Sequence, residues 1–401
     1  MTKRTLMDIN VQQQRVLVRM DYNIPIEAGT ERLIAYDHRL RASLPTISYL
    51  MGSRSKIILC SHLGRPNGTV DEDLRLSSVA HRLSALLPRP VQYVDECIGP
   101  KAEQAVKHMS ESEILLLENL RFNPGEESNS AEFAQSLASL ADVFIMDAFG
   151  VAHRSHASTV GVPSILPSAS GFLLQREIAH LGQGLTSPQR PFGAIIGGSK
   201  VSDKIKVVET LINNVDMLFI GGSMATTFMH AKGYSVGSSG IETDCLDTIK
   251  SLLNLAKKNN VSIYLPTDVV IAEMVRSPAQ HTQNVPIEEV PKGWSIMDIG
   301  RRTIDIFKEH ILECRTIMWN GPMGVFEFPQ FSEGTSVIAQ TLASLPGTTL
   351  VGGGSTAEAV EQMGLVDRMT HVSTGGGASL EFLEGKMLPG IDILPEIDIE
   401  H

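Results

Sequence analysis

The residues best suited to chemistry in this chain are glycines set beside hydroxyls and lysines. Thr349-Leu-Val-Gly-Gly-Gly-Ser-Thr-Ala-Glu-Ala-Val360 runs from an apolar, strand-like segment through three glycines into a helical pattern. That order aims free backbone N–H groups and a helix N-terminus at one place. A phosphate is the common occupant of such a place, although a tight turn that only needs positive φ has the same composition. The switch recurs where Ile195-Ile196 meets Gly197-Gly-Ser-Lys200, where Leu218-Phe-Ile220 meets Gly221-Gly-Ser-Met224, and where His371-Val-Ser-Thr374 meets Gly375-Gly-Gly-Ala378. Four such switches between 190 and 380 predict one sheet edge lined with backbone donors, the edge where open α/β sheets bind ligands. Lys200 and Lys204 are expected on one face of a helix opening after Gly197-Gly198, where they add positive charge.

The first half offers side chains instead. Asp21-Tyr-Asn23 follows the strand-like run at Arg15–Val18, and Ser61-His-Leu-Gly-Arg65 follows the run ending at Cys60. Arg121 follows Leu115–Glu118, and His153-Arg-Ser-His156 follows Val143–Met146. A lone arginine on a loop is usually a solvated charge. Four strand ends delivering His62, Arg65, Arg121, Arg154 and His156 to one edge are better explained by a pocket for a small anion. Arg39 and Arg41 open a helical pattern, where solvation is the simpler reading. Two anion sites of different make suggest phosphoryl transfer, a reaction catalysed by positioning and charge neutralisation.

The elements that must hold these residues alternate. Short apolar runs at 15–18, 56–59, 114–117, 143–146, 193–196, 217–220, 262–265, 316–319 and 349–351 are separated by helical stretches such as 77–87 and 131–141. Strands apolar on both faces, with helices between them, predict parallel sheets covered on both sides. A chain of 401 residues exceeds one ordinary core, so two domains are expected. Pro163, Pro167, Ser168 and Ser170 break the chain, and the amphipathic run Phe172–Leu181 follows, which places a domain boundary with a connecting helix within 160–192.

The net charge of −11 argues against general binding to nucleic acid or membrane surfaces, so anions must be drawn by local positive groups. Cys60, Cys97, Cys245 and Cys314 show no metal-ligand spacing and read as buried thiols of a reducing compartment. The N-terminus has no signal-peptide pattern, and a cytoplasmic protein is expected.

With those residues assembled, the chain resembles the phosphoglycerate kinases from about residue 15 to about 390. The matching stretches are Val16-Leu-Val-Arg-Met-Asp-Tyr-Asn-Ile-Pro25, Ser61-His-Leu-Gly-Arg-Pro66, Leu117-Glu-Asn-Leu-Arg-Phe122 and Asp147-Ala-Phe-Gly-Val-Ala-His-Arg-Ser-His-Ala-Ser158. Gly197-Gly-Ser-Lys-Val-Ser-Asp-Lys204, Trp319-Asn-Gly-Pro-Met-Gly-Val-Phe-Glu327 and Ser373-Thr-Gly-Gly-Gly-Ala-Ser379 continue the series in the family's order. The resemblance implies two Rossmann-like α/β domains, each a parallel sheet with helices on both faces, joined by a hinge helix. Their expected bounds are 1–170 for phosphoglycerate binding, 171–185 for the hinge and 186–387 for nucleotide binding, with a tail at 388–401 returning to the first domain. It implies reversible transfer between 1,3-bisphosphoglycerate with ADP and 3-phosphoglycerate with ATP, with Mg²⁺, by a monomer that binds small molecules.

By the same resemblance, His62, Arg65, Arg121 and Arg154 grip the non-reacting phosphate, and Asp21 and Asn23 hold the glycerate hydroxyl and carboxyl end. Tyr22, Leu63 and Gly64 lie in those substrate-binding stretches. Arg39 stabilises the transferring phosphoryl group, while Arg41 is structural. Lys204 binds the polyphosphate and Lys200 the migrating phosphoryl. Glu327 takes the ribose hydroxyls, and Gly353, Gly354, Ser355 and Thr356 line the phosphates, helped by Asn320. The N–H groups of Gly375, Gly376 and Gly377 face the transition-state oxygens, which makes Gly376 and Gly377 catalytic along with Arg39 and Lys200.

The sequence departs from the family at the focal loop. Ser355 stands where the family has an Asp that meets the nucleotide's Mg²⁺, and a neutral hydroxyl is the weaker ligand. Mg²⁺ is then expected mainly on phosphate oxygens and water, with Ser355 touching it directly or through water and Asp203 supplying charge from behind. Ile296 replaces a Gly near the adenine pocket, and Arg301-Arg302 replaces Pro-Lys at the surface. Two rivals are weak: Gly352-Gly-Gly-Ser-Thr-Ala357 fits a dinucleotide fingerprint without a redox constellation, and a P-loop motif is absent. A third reading is a metabolite-binding relative with weakened catalysis, for which Ser355 is the clue and against which Arg39, Lys200 and Lys204 speak.

Overall fold

The computed structural model describes residues 3–24, 37–273 and 281–397. Pro25 of the first matching stretch and residues 398–401 of the tail lie outside the described residues. Contacts divide the chain into two units: one runs to Ala179 and takes up the chain again from Met387, and the other spans His180–Lys386.

The first unit is built on a six-stranded parallel sheet. Its strands are β1 (Arg15–Arg19), β2 (Lys56–Cys60), β3 (Val91–Tyr93), β4 (Ile114–Leu116), β5 (Val143–Met146) and β6 (Ser168–Ser170), in the order β3-β4-β2-β1-β5-β6. Val16 and Val18 of β1 face a core that takes in Leu40, Ile47 and Leu50 of the helix His38–Gly52 and Val79 and Leu83 of the helix Ser77–Leu86. Leu17, Ile58, Leu115 and Phe144 alternate to the other face and are equally buried. The short serine strand β6 corrects the reading of Ser168 and Ser170 as a break in the chain. Its backbone pairs with β5 on one side, while Ser170 exchanges hydrogen bonds with Arg4 and Leu6 on the other. The chain beyond Met387 also meets this unit, since Lys3 Nζ donates to the carbonyls of Asp392 and Leu394, both at 2.9 Å.

The second unit repeats the plan with β7 (Phe192–Ile196), β8 (Met217–Ile220), β9 (Ser262–Tyr264), β13 (Thr316–Asn320), β14 (Thr348–Gly352) and β15 (His371–Val372). These run parallel in the order β15-β14-β13-β7-β8-β9. Alternation along the strands feeds two cores. Phe192, Ala194, Ile196, Met318 and Leu350 pack with the helices Ile205–Ile212, Met224–Ala231 and Leu246–Lys258. Ile195, Ile317, Trp319 and Val351 pack with the helices Arg301–Ile311 and Glu333–Ser344. Between β9 and β13 lies a three-stranded antiparallel sheet of β10 (Asp268–Ala272), β11 (Thr282–Pro286) and β12 (Ser295–Ile299) that the sequence reading did not anticipate. The amphipathic helix Phe172–Thr186 carries the chain from one unit to the other. Among the described residues no helix is long and apolar enough to cross a membrane, and the four cysteines are free and buried.

Candidate active site

In the second unit, glycine turns beyond β7, β8, β13, β14 and β15 surround a cavity of about 420 Å³, within the usual range for a small-molecule site. It brings together Lys200, Lys204, Asn320 and Glu327 with Gly353, Gly354, Ser355, Thr356, Gly376 and Gly377. Gly198 and Gly321, with φ of 98° and 97°, line it too, although neither was singled out as a site residue. Both need the left-handed backbone that glycine adopts without strain. A Cβ on Gly321 would also run into the Gly197 carbonyl and the Lys204 ammonium.

Lys204 is 9% exposed. Its Nζ donates to Gly197 O at 2.6 Å and to Asn320 Oδ1 at 2.8 Å. Burial pushes its ammonium down to about 8. With Oδ1 taken, Asn320 turns its Nδ2 toward Gly353, where it is buried without a hydrogen-bond partner among the described residues. A buried donor left this way costs about 1–3 kcal/mol unless an acceptor meets it, so the atom calls for a ligand oxygen. Thr356 Oγ1 accepts from Gly321 N at 2.7 Å and so ties two of the glycine turns together. Ser355 is exposed in the first turn of the helix Gly354–Gln362.

One expectation fails here. Lys200 and Lys204 do not share a helix face, because the helix begins at Ile205 and Lys204 only caps it. The Glu242 carboxylate accepts from Val201 N at 2.6 Å and Ser202 N at 3.2 Å, which holds the segment in a turn and leaves Lys200 exposed on it. Ile296 is not among the residues lining the cavity; its N–H donates to Ser239 Oγ at 2.9 Å from β12. Arg301 and Arg302 are exposed.

The cavity suits a metal that arrives on phosphate oxygens. No group of three or more His, Cys, Asp or Glu that could hold a metal occurs among the described residues, while the Ser355 hydroxyl and the Asp203 carboxylate both line the cavity. That sparse oxygen set fits Mg²⁺, which keeps its waters and borrows one or two protein oxygens beside a substrate phosphate.

In the first unit, the loops beyond β1, β2, β4 and β5 converge. Asp21 Oδ2 lies 2.7 Å from Arg39 Nη1, Asn23 Oδ1 accepts from Gly64 N at 2.9 Å, and Arg121 Nη1 donates to Gly64 O at 2.7 Å. Tyr22 anchors this segment from within the core, its hydroxyl 3.0 Å from Ser43 Oγ. Arg41 pairs with Asp37 at the exposed side of its helix, as a structural residue would. Arg154 is half-buried and Arg65 is exposed.

Beneath them lies a buried layer that sequence reasoning missed. Arg19 is fully buried, donates through Nε to Ser158 Oγ at 2.7 Å, and lies 3.9 Å from Glu126 Oε1. Ser158 Oγ donates in turn to Glu126 at 2.6 Å. Arg19 Nη2 approaches His62 Nδ1 at 3.3 Å, which makes Nδ1 the acceptor and leaves the ring proton on Nε2. Burial, followed by the charges of Arg19, Arg121, Arg39 and Arg154, holds His62 well below the usual histidine range. Burial and the same kind of arginine field push His156 down to about 4. Both histidines are therefore held in the neutral form by burial and by the arginines around them.

Two parallel-sheet units, one offering an arginine cluster and the other a glycine-lined cavity with a buried lysine, define a two-domain α/β phosphotransferase acting on anionic small molecules. Comparison with known proteins agrees. The family model described as phosphoglycerate kinase matches residues 6–386. A phosphoglycerate kinase of Moorella thermoacetica is 51% identical over 396 residues, 99% of this chain and all of the relative, and that of Pelotomaculum thermopropionicum is 50% identical over 394 residues, 98% of this chain and 99% of the relative. Among solved structures, phosphoglycerate kinase from Coxiella burnetii aligns with a TM-score of 0.83 at 39% identity, and that from Pyrococcus horikoshii with 0.85 at 32%, each covering 98% of both chains. The chain belongs to the phosphoglycerate kinase family. Its activity is reversible phosphoryl transfer between 1,3-bisphosphoglycerate with ADP and 3-phosphoglycerate with ATP. Neither the relatives nor the solved structures support a chain that binds without turnover.

Proposed function

We propose that the arginine cluster of the first unit binds 3-phosphoglycerate and that the glycine-lined cavity of the second binds the nucleotide. Arg65, Arg121 and Arg154 grip the non-reacting phosphate, with neutral His62 donating from Nε2. Asp21 and Asn23 hold the glycerate end, and Arg39, kept in place by Asp21, meets the transferring phosphoryl group. Lys204 and the orphaned Nδ2 of Asn320 take nucleotide phosphate oxygens, together with the amides around Gly353–Thr356. Lys200, exposed on its turn, meets the migrating group, while Glu327 takes the ribose and the amides of Gly376 and Gly377 face the oxygens of the transition state. That unsatisfied Asn320 donor, set between Lys204 and the glycine turn, is the observation that carries the nucleotide assignment.

The attacking group is a carboxylate, already ionised near neutral pH, so no side chain has to remove a proton from it. Catalysis falls to positioning and to cations arranged around the phosphoryl oxygens. Ser355 would hold the nucleotide's Mg²⁺, directly or through water, with Asp203 supplying charge from behind, and the ion would neutralise phosphate charge there. Transfer needs the two substrates in contact, so both bound together are expected to compact the protein about the helix Phe172–Thr186; small-angle scattering unchanged by the pair would count against this. We further read the protein as a cytoplasmic monomer.

The test is the initial rate of ADP formation from ATP and 3-phosphoglycerate, titrated with Mg²⁺, for wild type beside Ser355→Asp. Turnover in the wild type with a lower Mg²⁺ requirement in the variant supports the reading. No turnover until the carboxylate is introduced would mark a binder.

A further inference from the structure

Asn119 lies three residues beyond the end of β4, is fully buried, and uses its whole carboxamide. Its Oδ1 accepts from Leu63 N at 3.2 Å and from Arg121 N at 3.1 Å. Its Nδ2 donates to Leu63 O at 2.8 Å and to Leu74 O at 2.9 Å. The orientation is unambiguous, because two amides need the oxygen and two carbonyls need the nitrogen. One side chain thus joins the loop beyond β2, the segment leading into the helix Ser77–Leu86, and its own turn, which carries Arg121.

The contacts around it depend on that junction. Arg121 returns a bond to Gly64 O at 2.7 Å, and Leu120 N donates to Ser61 O at 3.0 Å. Gly64 has a φ of 62°, and a Cβ there would meet the Leu74 side chain at 2.6 Å. The loop is therefore wedged against Leu74 on one side and tied to Asn119 on the other.

We propose that Asn119 is the positioning residue of the triose-phosphate grip: fully buried and out of reach of the ligand, it fixes the loop that carries Arg65 and the turn that carries Arg121. The inference rests on the reading of those arginines as the 3-phosphoglycerate site. No other side chain of this size supplies two donors and two acceptors. Asn119→Asp keeps the shape and the acceptor but sets an oxygen against two carbonyl oxygens, and Asn119→Ser, shorter and with a single donor, cannot serve both carbonyls.

The experiment measures, by calorimetry, the affinities of 3-phosphoglycerate and of ADP separately for wild type and both variants. The expected result is at least about a tenfold loss for 3-phosphoglycerate with ADP unchanged within about twofold, since buried polar networks fail locally when one member is lost. Equal weakening of both ligands, or of neither, overturns the proposal. Should the variants not fold, amide exchange in the wild type decides. The Leu63 and Arg121 amides are expected to be protected, and protected further by 3-phosphoglycerate but not by ADP; exchange at the rate of open amides overturns the proposal. A wild type that fails to bind 3-phosphoglycerate refutes the assignment of the site, while unliganded exchange at the two amides still judges the clamp.

Discussion

The two units share one plan, six parallel strands with helices against the sheet, yet the groups they offer to an anion are of opposite kinds. The first puts guanidinium groups on loops, joins Arg19, Ser158 and Glu126 in a buried hydrogen-bonded layer, and ties the turn of Arg121 to the loop beyond β2 through Asn119. The second brings backbone N–H groups close by removing side chains, at Gly198, Gly321 and Gly353, and adds one buried ammonium. A fork of arginines suits a compact phosphate approached from several directions. A glycine-lined edge suits an extended polyphosphate that must lie against the main chain. In an acidic protein, both solutions concentrate positive potential locally, and the comparison predicts that each site breaks by a different kind of substitution.

The largest effect is expected on the side-chain site. Arg39 is held 2.7 Å from Asp21, and the proposed role sets it at the transferring phosphoryl group. Arg39→Ala is expected to lower kcat by about 10²–10³, the usual cost of removing one preorganised transition-state donor. ADP affinity should hardly move. A kcat within about tenfold of wild type would remove Arg39 from the transition state and weaken the contrast between the units.

The backbone site should instead fail at a glycine. Gly353 has a φ of 90°, and a Cβ there would lie 3.1 Å from Asn320 Nδ2, the buried donor without a partner among the described residues. Gly353→Ala forces an L-residue into the left-handed region, worth about 1–2 kcal/mol, and crowds that donor. That strain is common to free and liganded protein, so the crowded donor sets the effect on binding: we expect ADP affinity to fall about tenfold, the worth of roughly one charge-assisted hydrogen bond, with 3-phosphoglycerate affinity unaltered, both measured by calorimetry. Loss of affinity for both ligands would indicate a general fault of folding.

The same contrast explains what was legible in the sequence. The central strands β1, β2, β5, β7, β8, β13 and β14 are runs apolar on both faces, and periodicity places them to within a residue or two of their ends. The strand β6, Ser-Ala-Ser between a proline and a glycine, reads as a linker because its burial comes from pairing with β5 and from Arg4 and Leu6, which lie far away in sequence. β11 is polar and largely exposed and carries no pattern. Glycine turns and strand-end arginines announce themselves by type and spacing. Arg19 and Glu126 look like ordinary surface charges until burial is known, and the turn before Ile205 depends on Glu242, which no local pattern reveals. The ligand-facing layer is thus readable in the chain, and the supporting layer is not.

Protonation sharpens the comparison further. In the first unit, His62 and His156 are held low by burial and by arginines; an arriving phosphate dianion offsets those charges and raises both. A group whose pKa rises on binding takes up a proton between its free and bound values. Proton uptake with 3-phosphoglycerate should therefore be largest at a pH between about 4 and the raised value in the complex, and fall away on either side. In the second unit, Lys204 starts at about 8 and is raised by polyphosphate, so uptake with ADP appears as pH rises from about 8 toward 10.5. ADP affinity should fall over that range, by no more than about tenfold per pH unit for one proton. Calorimetry in buffers of different ionisation heat reads both windows, and uptake confined to one window for both ligands would contradict the assignment.

The smallest effect concerns the metal, where the two carriers of oxygen are unequal. Ser355 offers a neutral hydroxyl on the first turn of a helix, and Asp203 a charged oxygen on the turn that Glu242 shapes. Because phosphate and water supply most of the coordination of a nucleotide-borne Mg²⁺, each protein oxygen contributes little. Asp203→Asn is nevertheless expected to raise the Mg²⁺ concentration for half-maximal rate about two- to threefold, and to narrow the difference in affinity between ADP measured with and without Mg²⁺. The second readout matters because it involves no turnover. If the Mg²⁺ dependence of both rate and binding were unchanged, Asp203 would be a solvated charge beside Lys204. The metal would then rest on phosphate, water and the Ser355 hydroxyl alone, and the backbone character of this unit would extend even to its cation.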